Sequence, residues 1–379
     1  MQILVLTHEY PPLGGGGGRV AQDVCRGLAQ RGHEVVVLTA ACGNLPYDQV
    51  QSGVRIRRLV SGRTQPFRAG LPAMGGFVFA ALIHGLALSR TWKPDLIHAH
   101  FAVPAGAAAW ALGGLLHRPY VLTAHLGDVP GGVPEKTGGW FRWLFPFTPP
   151  IWKGAAAVAA VSDFTRTLAL RSYPVAVQVI PNGVDRVALD PGTIRVGAPP
   201  RLVFAGRFQP QKNPLELVRI LADARDLPWQ AEMIGDGPLR PQLQAEIARC
   251  GLAERITLPG WVTPETVIQR LRQADILFMP SLSEGLPVVG VQALALGLAL
   301  LLSRVGGNVD LVAEGENGFL LAPDDHAGFV TALRALLTDP ARLLAFRRAS
   351  RAHSARFDLK AVVTAYERLF LEAAGRAAA

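Results

Sequence analysis

Short apolar runs alternate with longer stretches of helical period along nearly the whole chain. Runs of strand length fall at 3–7, 34–39, 54–60, 96–98, 120–123, 156–162 and 177–180, and again at 201–205, 230–234, 256–258, 276–279 and 318–320. Between them lie helix-like segments, the clearest at 264–273, 326–338 and 340–352, and an amphipathic segment at 359–374 comes last. Strand and helix taking turns in this way predicts an α/β protein built on parallel sheets. A Pro- and Gly-rich break at 190–200, DPGTIRVGAPP, interrupts the alternation near the middle and predicts two domains, 1–190 and 191–355.

Three runs carry no Asp, Glu, Lys or Arg: 69–89, 101–117 and 286–303. The first is long enough to raise a transmembrane helix. It contains Pro72, His84 and the glycines 70, 75, 76 and 85, and the other two runs look the same. The expectation is therefore helices buried between the layers of an α/β protein, whose inner elements read as near-continuous apolar runs.

At 379 residues, 50% hydrophobic and 18% charged, the chain can fill two cores, and disorder is excluded as its general state. Cys25, Cys42 and Cys250 are odd in number and far apart, which argues against a disulfide framework or a Cys-based zinc site. A cytoplasmic setting is expected, and MQILVLTHEY enters a strand directly with no secretory signal evident. The net charge of +9 is uneven, with 17 Lys plus Arg against 10 Asp plus Glu in 1–190 and 21 against 19 thereafter. An anionic partner is expected for the first half, an acidic acceptor or the inner face of a membrane, and nothing points to nucleic acid. Basic and apolar residues interleave at Arg63, Phe67, Arg68, Leu71 and Phe77, and GGWFRWLFPFTPPIWK at 138–153 mixes aromatic with basic residues. Each suits either a peripheral membrane contact or a packed core.

Candidate chemistry gathers at strand ends. After the strand at 276–279 comes PSLSEGLP, a polar turn with one carboxylate, Glu284, then a small-residue helical stretch and a strand ending at Gly306 and Gly307. Ligands of open α/β sheets sit beyond the carboxyl ends of strands and against helix N-termini, so Glu284 faces a crevice. The strand at 201–205 leads into GRFQPQKN, where Arg207 and Lys212 can converge on one diphosphate. Lys occurs only at 93, 136, 153, 212 and 360 in a chain that otherwise uses Arg, so Lys212 marks a place for a compact ammonium. HEYPPLGGGGGR follows the first strand and brings Gly14 to Gly18 ahead of a helix expected near Val20. TAHLGDV sets His125 and Asp128 past the strand at 120–123, and PNGVD is a tight turn at Asn182 and Gly183. No Asp-x-Asp pair lies in a strand-end loop and no cluster has metal-ligand spacing, so neither a metal nor a cofactor is expected.

Taken together these residues resemble the family 4 glycosyltransferases, retaining enzymes with two Rossmann-like domains facing across a cleft, the GT-B fold. The family pattern of Glu, seven residues, Glu begins at Glu284, but position 292 holds Gln. Gly15, Gly16, Gly32 and His33 match its opening pattern, Gly206, Arg207 and Lys212 its Gly-Arg and Lys-Asn element, and His125 with Asp128 its His-x-x-Asp element. The resemblance implies transfer of a hexose from a nucleotide-diphosphate sugar, the co-substrate, to a glycan, lipid-linked or small-molecule acceptor. In that reading Arg207 and Lys212 neutralise the leaving diphosphate, Glu284 fixes sugar hydroxyls and His125 lies near the transferred sugar. Gly15, Gly16 and Val288 offer amides. Gly235 and Gly237 of GDGP, with Trp261 and Val262 of PGWV, cradle the base, and Leu286, Pro287 and Gln292 complete the donor site. Asp128 and Asn182 face the sugar or acceptor, His33 is structural, and the last helix, about 356–379, crosses back to the first domain. Gln292 implies an altered nucleotide preference. A sugar-nucleotide epimerase of the same fold and a non-catalytic nucleotide-sugar-binding subunit are the competing readings.

Overall fold

In the computed structural model, which describes residues 1–66, 69–133 and 141–378, strands and helices alternate in two separate units. The first unit is Met1–Gly183 with Leu359–Ala379, and the second is Val184–Asp358. Residues 184–190 thus cluster with the second half of the chain. Val184 there donates its N–H to the Phe357 carbonyl at 2.8 Å and bridges to Asp358.

The first unit holds β1 (Gln2–Leu6), β2 (Glu34–Ala40), β3 (Asp48–Gln51), β4 (Val54–Leu59), β5 (Leu96–His100), β6 (Tyr120–Ala124), β7 (Ala157–Ala160) and β8 (Val177–Val179). Their spatial order is β3-β4-β2-β1-β5-β6-β7-β8, parallel except for the hairpin pair β3 and β4. The sequence DQVQ is too polar to announce β3. It forms because Ser52 and Gly53 adopt φ of 52° and 80°, the two-residue turn that suits a hairpin. Strand order reverses between β1 and β5.

Helix α1 (Gly16–Gln30) starts four residues before the expected Val20. Glycine is a poor helix former, but packing demands it here, since a Cβ on Gly17 would lie 2.3 Å from Cζ of Phe101. Helix α2 (Leu71–Ser89) departs further from expectation. Only six of its 19 residues are buried, and Phe79 and Ile83 are 68% and 50% exposed. By length and composition this helix could cross a membrane, and it lies on the unit with one face inward and one apolar face outward. Phe77 is on the inward face. Arg63 is buried too, donating to the carbonyls of His8 (2.7 Å), Gln65 (2.9 Å) and Pro66 (2.7 Å), so neither residue forms the interleaved surface that the sequence allowed. Phe67, Arg68 and 138–140 lie outside the described residues. Helix α3 (Ala107–Leu116) packs beside α2, with Leu112 against Gly85.

The terminal helix Leu359–Ala378 packs on α1. Arg31 of the α1 C-terminus donates to Glu367 at 2.7 Å and to the Thr364 hydroxyl at 2.7 Å, while His33 meets Glu367 at 2.7 Å, so His33 is structural. Tyr366 and Phe370 reach the sheet and pack on His98.

The second unit holds β9 (Arg201–Ala205), β10 (Gln230–Ile234), β11 (Ile256–Gly260), β12 (Ile276–Met279), β13 (Ala299–Ser303) and β14 (Gly318–Leu321), in the order β11-β10-β9-β12-β13-β14. All pairs are parallel, and the order reverses between β9 and β12. The break at 190–200 is tied down by Asp275, which accepts the N–H groups of Gly197 (3.1 Å) and Arg201 (2.8 Å) and pairs with buried Arg347. Arg347 also donates to the carbonyls of Gly297 (2.7 Å) and Arg195 (2.6 Å), so both members of the buried ion pair carry further hydrogen bonds.

A pH-sensitive tie joins the helices Pro214–Ala222 and His326–Thr338. His326 lies 2.8 Å from Asp223 and 2.6 Å from Glu216, and these hydrogen bonds, that to Asp223 foremost, raise its pKa above the ordinary histidine range. A histidine whose folded pKa is raised contributes stability fully below its unfolded value of about 6.5 and loses it as pH rises through the folded value. Urea midpoints are expected to fall across that window for the wild-type chain, and His326→Gln is expected to remove that component of the slope.

Candidate active site

The strand-order reversal of the second unit falls between β9 and β12, and the loops after those strands carry Lys212 and Glu284. Lys212 closes the 3-10 turn Pro210–Lys212, and Asn213, at φ 50°, swings the chain into the helix Pro214–Ala222. The Lys212 Nζ stands 2.5 Å from Oε1 of Glu284, with side-chain exposures of 17% and 5%. Seventy-two residues apart in sequence, the two form an almost buried ion pair at the mouth of the sheet. Such a crevice is where open α/β sheets bind ligands.

The loops are laced to one another. Leu282 donates its N–H to the Gln211 carbonyl at 2.8 Å, and the Gln211 carboxamide donates to the Ser283 carbonyl at 2.9 Å. Behind Glu284 lie Gly306 and Gly307, where an added Cβ would stand 1.7 Å from the Glu284 carbonyl oxygen and 1.8 Å from that of Gly285. Gly235 and Gly237 play the same part beside β9, facing the carbonyls of Gly206 and Phe208 at 1.9 and 2.5 Å. The structure thus gives Gly235 and Gly237 a packing role of their own, whereas a Cβ on Gly206 would make only ordinary contacts. Arg207 is half-buried on the β9 loop, Leu286 and Pro287 are buried, and Pro287 leads into the helix Val288–Ala295, which has no side-chain cap. Its first N–H groups, beginning at Val288, have no partner within the helix. Gln292 is half-buried one turn further, while Trp261 is exposed and Val262 half-buried beyond β11.

In the first unit the loops after β1, β5 and β6 converge at the other reversal. Gly15 caps α1, but its N–H is donated to Oε2 of Glu9 at 2.9 Å; Gly16 is exposed at the first helical position. His125 follows β6, half-buried, its ring 4.5 Å from Phe101, which in turn lies 5.0 Å from His8. Burial lowers the His125 pKa to about 4, with Glu9 opposing and His8 reinforcing the shift. Asp128 accepts the N–H of Ala102 at 2.7 Å and of His125 at 2.9 Å. Its carboxylate therefore clamps the β5 and β6 loops together, which positions His125. Asn182 is buried in the turn before the chain leaves the unit.

Sequence reasoning missed Glu9, His100 and Phe101. Glu9, just ahead of the glycine run, was visible as an acid with nothing to say what it held. Phe101 adopts φ 74° and Leu126, next to His125, φ 91°. Positive φ in such residues costs on the order of 1–3 kcal/mol and clusters at functional sites. Among the described residues no group of three or more His, Cys, Asp or Glu side chains is disposed to hold a metal ion.

Comparison with known proteins follows the two units. The family model described as Glycosyltransferase Family 4 matches residues 14–187, and that described as Glycosyl transferases group 1 matches residues 191–353. A 2-deoxystreptamine glucosyltransferase from Streptomyces kanamyceticus is 30% identical over 355 residues, 86% of this chain and 90% of that protein. Sucrose-phosphate synthase from Thermosynechococcus elongatus superimposes with a TM-score of 0.84 at 22% identity, over 98% of this chain and 99% of that one. HepE from Anabaena, solved in complex with UDP-glucose, gives 0.76 at 20% identity over 97% and 99%. The chain belongs to the family 4 glycosyltransferases and is a glycosyltransferase of the GT-B fold.

Proposed function

We propose that this glycosyltransferase moves a hexose from a nucleotide-diphosphate sugar to an acceptor hydroxyl with retention of anomeric configuration, using no metal ion and no further cofactor. The observation that carries the reading is the contact of Lys212 with Glu284 at the strand-order reversal, with Arg207 on the same loop. When donor binds, the diphosphate takes the ammonium from the carboxylate, and Glu284 turns to the sugar hydroxyls. Arg207, Lys212 and the amides near Val288 then meet the charge that grows as the bond from the anomeric carbon to phosphate oxygen breaks. The acceptor oxygen forms its bond on the face the phosphate leaves, and the hydroxyl proton passes to the departing phosphate oxygen. A single carboxylate in the donor loop is out of keeping with the paired acids of a hydrolase. Glucose and UDP-glucose are the first candidates, being named for the Streptomyces and Anabaena proteins.

The test is release of nucleoside diphosphate from UDP-, GDP- and ADP-hexoses with and without acceptors, with product anomers read by NMR. Acceptor-dependent release, retained configuration and insensitivity to chelators are expected; inversion, or release that chelators abolish, defeats the reading. Gln292→Glu is expected to tighten donor binding about three- to tenfold, a carboxylate making stronger bonds to ribose hydroxyls than a carboxamide. An unchanged donor KM and nucleotide preference would remove Gln292 from the site.

We place the reaction in the cytoplasm at the surface of an anionic membrane. The outward face of α2 presents Phe79, Ile83 and Leu86, its neighbour α3 adds Trp110, and Trp143 and Phe147 are exposed elsewhere on the unit. Arg90, Lys93, Arg118 and Lys153 lie just ahead of β5, β6 and β7, along the strand edge opposite the candidate site, and between residues 49 and 127 the one acid is Asp95. An apolar face with a cationic rim suits the interface of a bilayer containing anionic lipid. The full chain is expected to float with phosphatidylcholine vesicles carrying phosphatidylglycerol and to do so at least about tenfold less as Ile83→Glu. Equal binding by the variant, or a concentration-dependent dimer abolished by it, would count against the membrane.

A further inference from the structure

Three histidines of the first unit form a line, and two of them are completely buried. His98 and His100 lie on one face of β5, their ring centroids 4.2 Å apart. Nδ1 of His100 is 3.0 Å from Nε2 of His125, and Nε2 of His98 is 2.9 Å from the Thr123 hydroxyl, which donates to the Tyr366 hydroxyl at 3.3 Å. Buried polar atoms are nearly always paired. Yet Nε2 of His100 and Nδ1 of His98 have no partner among the described residues.

Burial holds all three rings neutral, with His98 near 3, His100 well below the ordinary histidine value and His125 near 4. A neutral imidazole has one N–H and one bare nitrogen, so the bond between His100 and His125 can run in two directions. If His125 donated from Nε2, the proton of His100 would sit on Nε2 with no acceptor. If His100 donates from Nδ1, its partnerless Nε2 is only a lone pair. An orphaned buried N–H is rarer and costlier than an under-used acceptor. The second arrangement therefore wins. His98 is set the same way, since the Thr123 proton goes to Tyr366 and His98 must donate from Nε2.

We infer that His100 is a positioning residue whose buried Nδ1–H fixes His125 as the Nδ1–H tautomer, so that His125 offers its ligand a hydrogen-bond donor and never a base. The inference rests on the reading that His125 faces the transferred sugar. It goes further by naming the atom, Nδ1, and the chemistry, donation to a sugar oxygen. His125 is suited to this because its main-chain N–H is clamped by Asp128 and one ring nitrogen is engaged behind it, leaving Nδ1 of a half-buried ring.

The test uses the full resting chain, with imidazole tautomers read from long-range proton–nitrogen NMR spectra. The wild-type chain is expected to show Nδ1 protonated at His125 and Nδ1 protonated at His100. His100→Asn, whose amide N–H takes the place of Nδ1–H, should keep the His125 pattern, and His100→Phe should leave His125 a mixture of tautomers. With donor and acceptor at saturation, His100→Phe is expected to lower kcat at least about tenfold with little change in KM, and His100→Asn to recover most of it. A wild-type His125 protonated at Nε2 overturns the inference whatever the activity. The inferred tautomer, lost in His100→Phe without effect on kcat, removes His125 from the reaction and so defeats the reading beneath it.

Discussion

Replacing Lys212 with Met is expected to lower turnover by about 10²- to 10³-fold while the protein stays folded. Met keeps most of the side-chain volume and removes only the charged donor. The loss should appear in kcat, because the ammonium is needed most where negative charge develops, and removal of one oriented donor of that kind typically has an effect of this size. A second consequence separates this role from a structural one. Without Lys212, Glu284 is left as a buried carboxylate that has lost its ion-pair partner, and breaking such a pair costs about 3–5 kcal/mol. Glu284→Gln in the same chain should restore much of the stability and none of the turnover. Steady-state release of nucleoside diphosphate and thermal melts of the single and double variants check both parts. Turnover near that of the wild-type chain would end the leaving-group role for Lys212.

Gly307→Ala is expected to damage activity from outside the site. Its Cβ would stand 1.8 Å from the Gly285 carbonyl oxygen, and the obstacle is backbone that no rotamer change can clear. The loop bearing Glu284 must shift. A misplacement of about 1 Å is enough for a loss on the order of 10²-fold in turnover, and forcing an extra methyl into packed structure costs about 1–3 kcal/mol. Gly114→Ala on α3 is the control, since a Cβ there meets nothing within 4 Å. It should melt at or above the wild-type temperature with unchanged kcat. Full activity in Gly307→Ala would show that Glu284 need not hold its place.

Strand positions were legible because the inner strands of a parallel sheet are apolar on both faces, and the loops after them could be read for chemistry. Lys212 and Glu284 stand out in the sequence on that ground alone. Their pairing was not legible, since it depends on the order of strands in space. Three further features were hidden for separate reasons. β3 has too little apolar alternation and exists through its turn. The run of glycines at α1 reads as a loop, yet a helix needs small residues there to pass Phe101. The uncharged run of α2 reads as an inner helix, and composition alone could not say that only one side is covered. The roles of Asp128 and His100 were out of reach for the same reason as the pairing, because both act through hydrogen bonds to residues on a neighbouring strand end.

The first unit takes its parts from both ends of the polypeptide, with Tyr366 packed on His98 and Glu367 holding Arg31 and His33. The first unit can therefore close over its sheet only once the last helix is in place, whereas Val184–Asp358 is one contiguous stretch. A stop codon or proteolytic nick just after residue 358 would spare the half made later and leave the half made first with His98 uncovered.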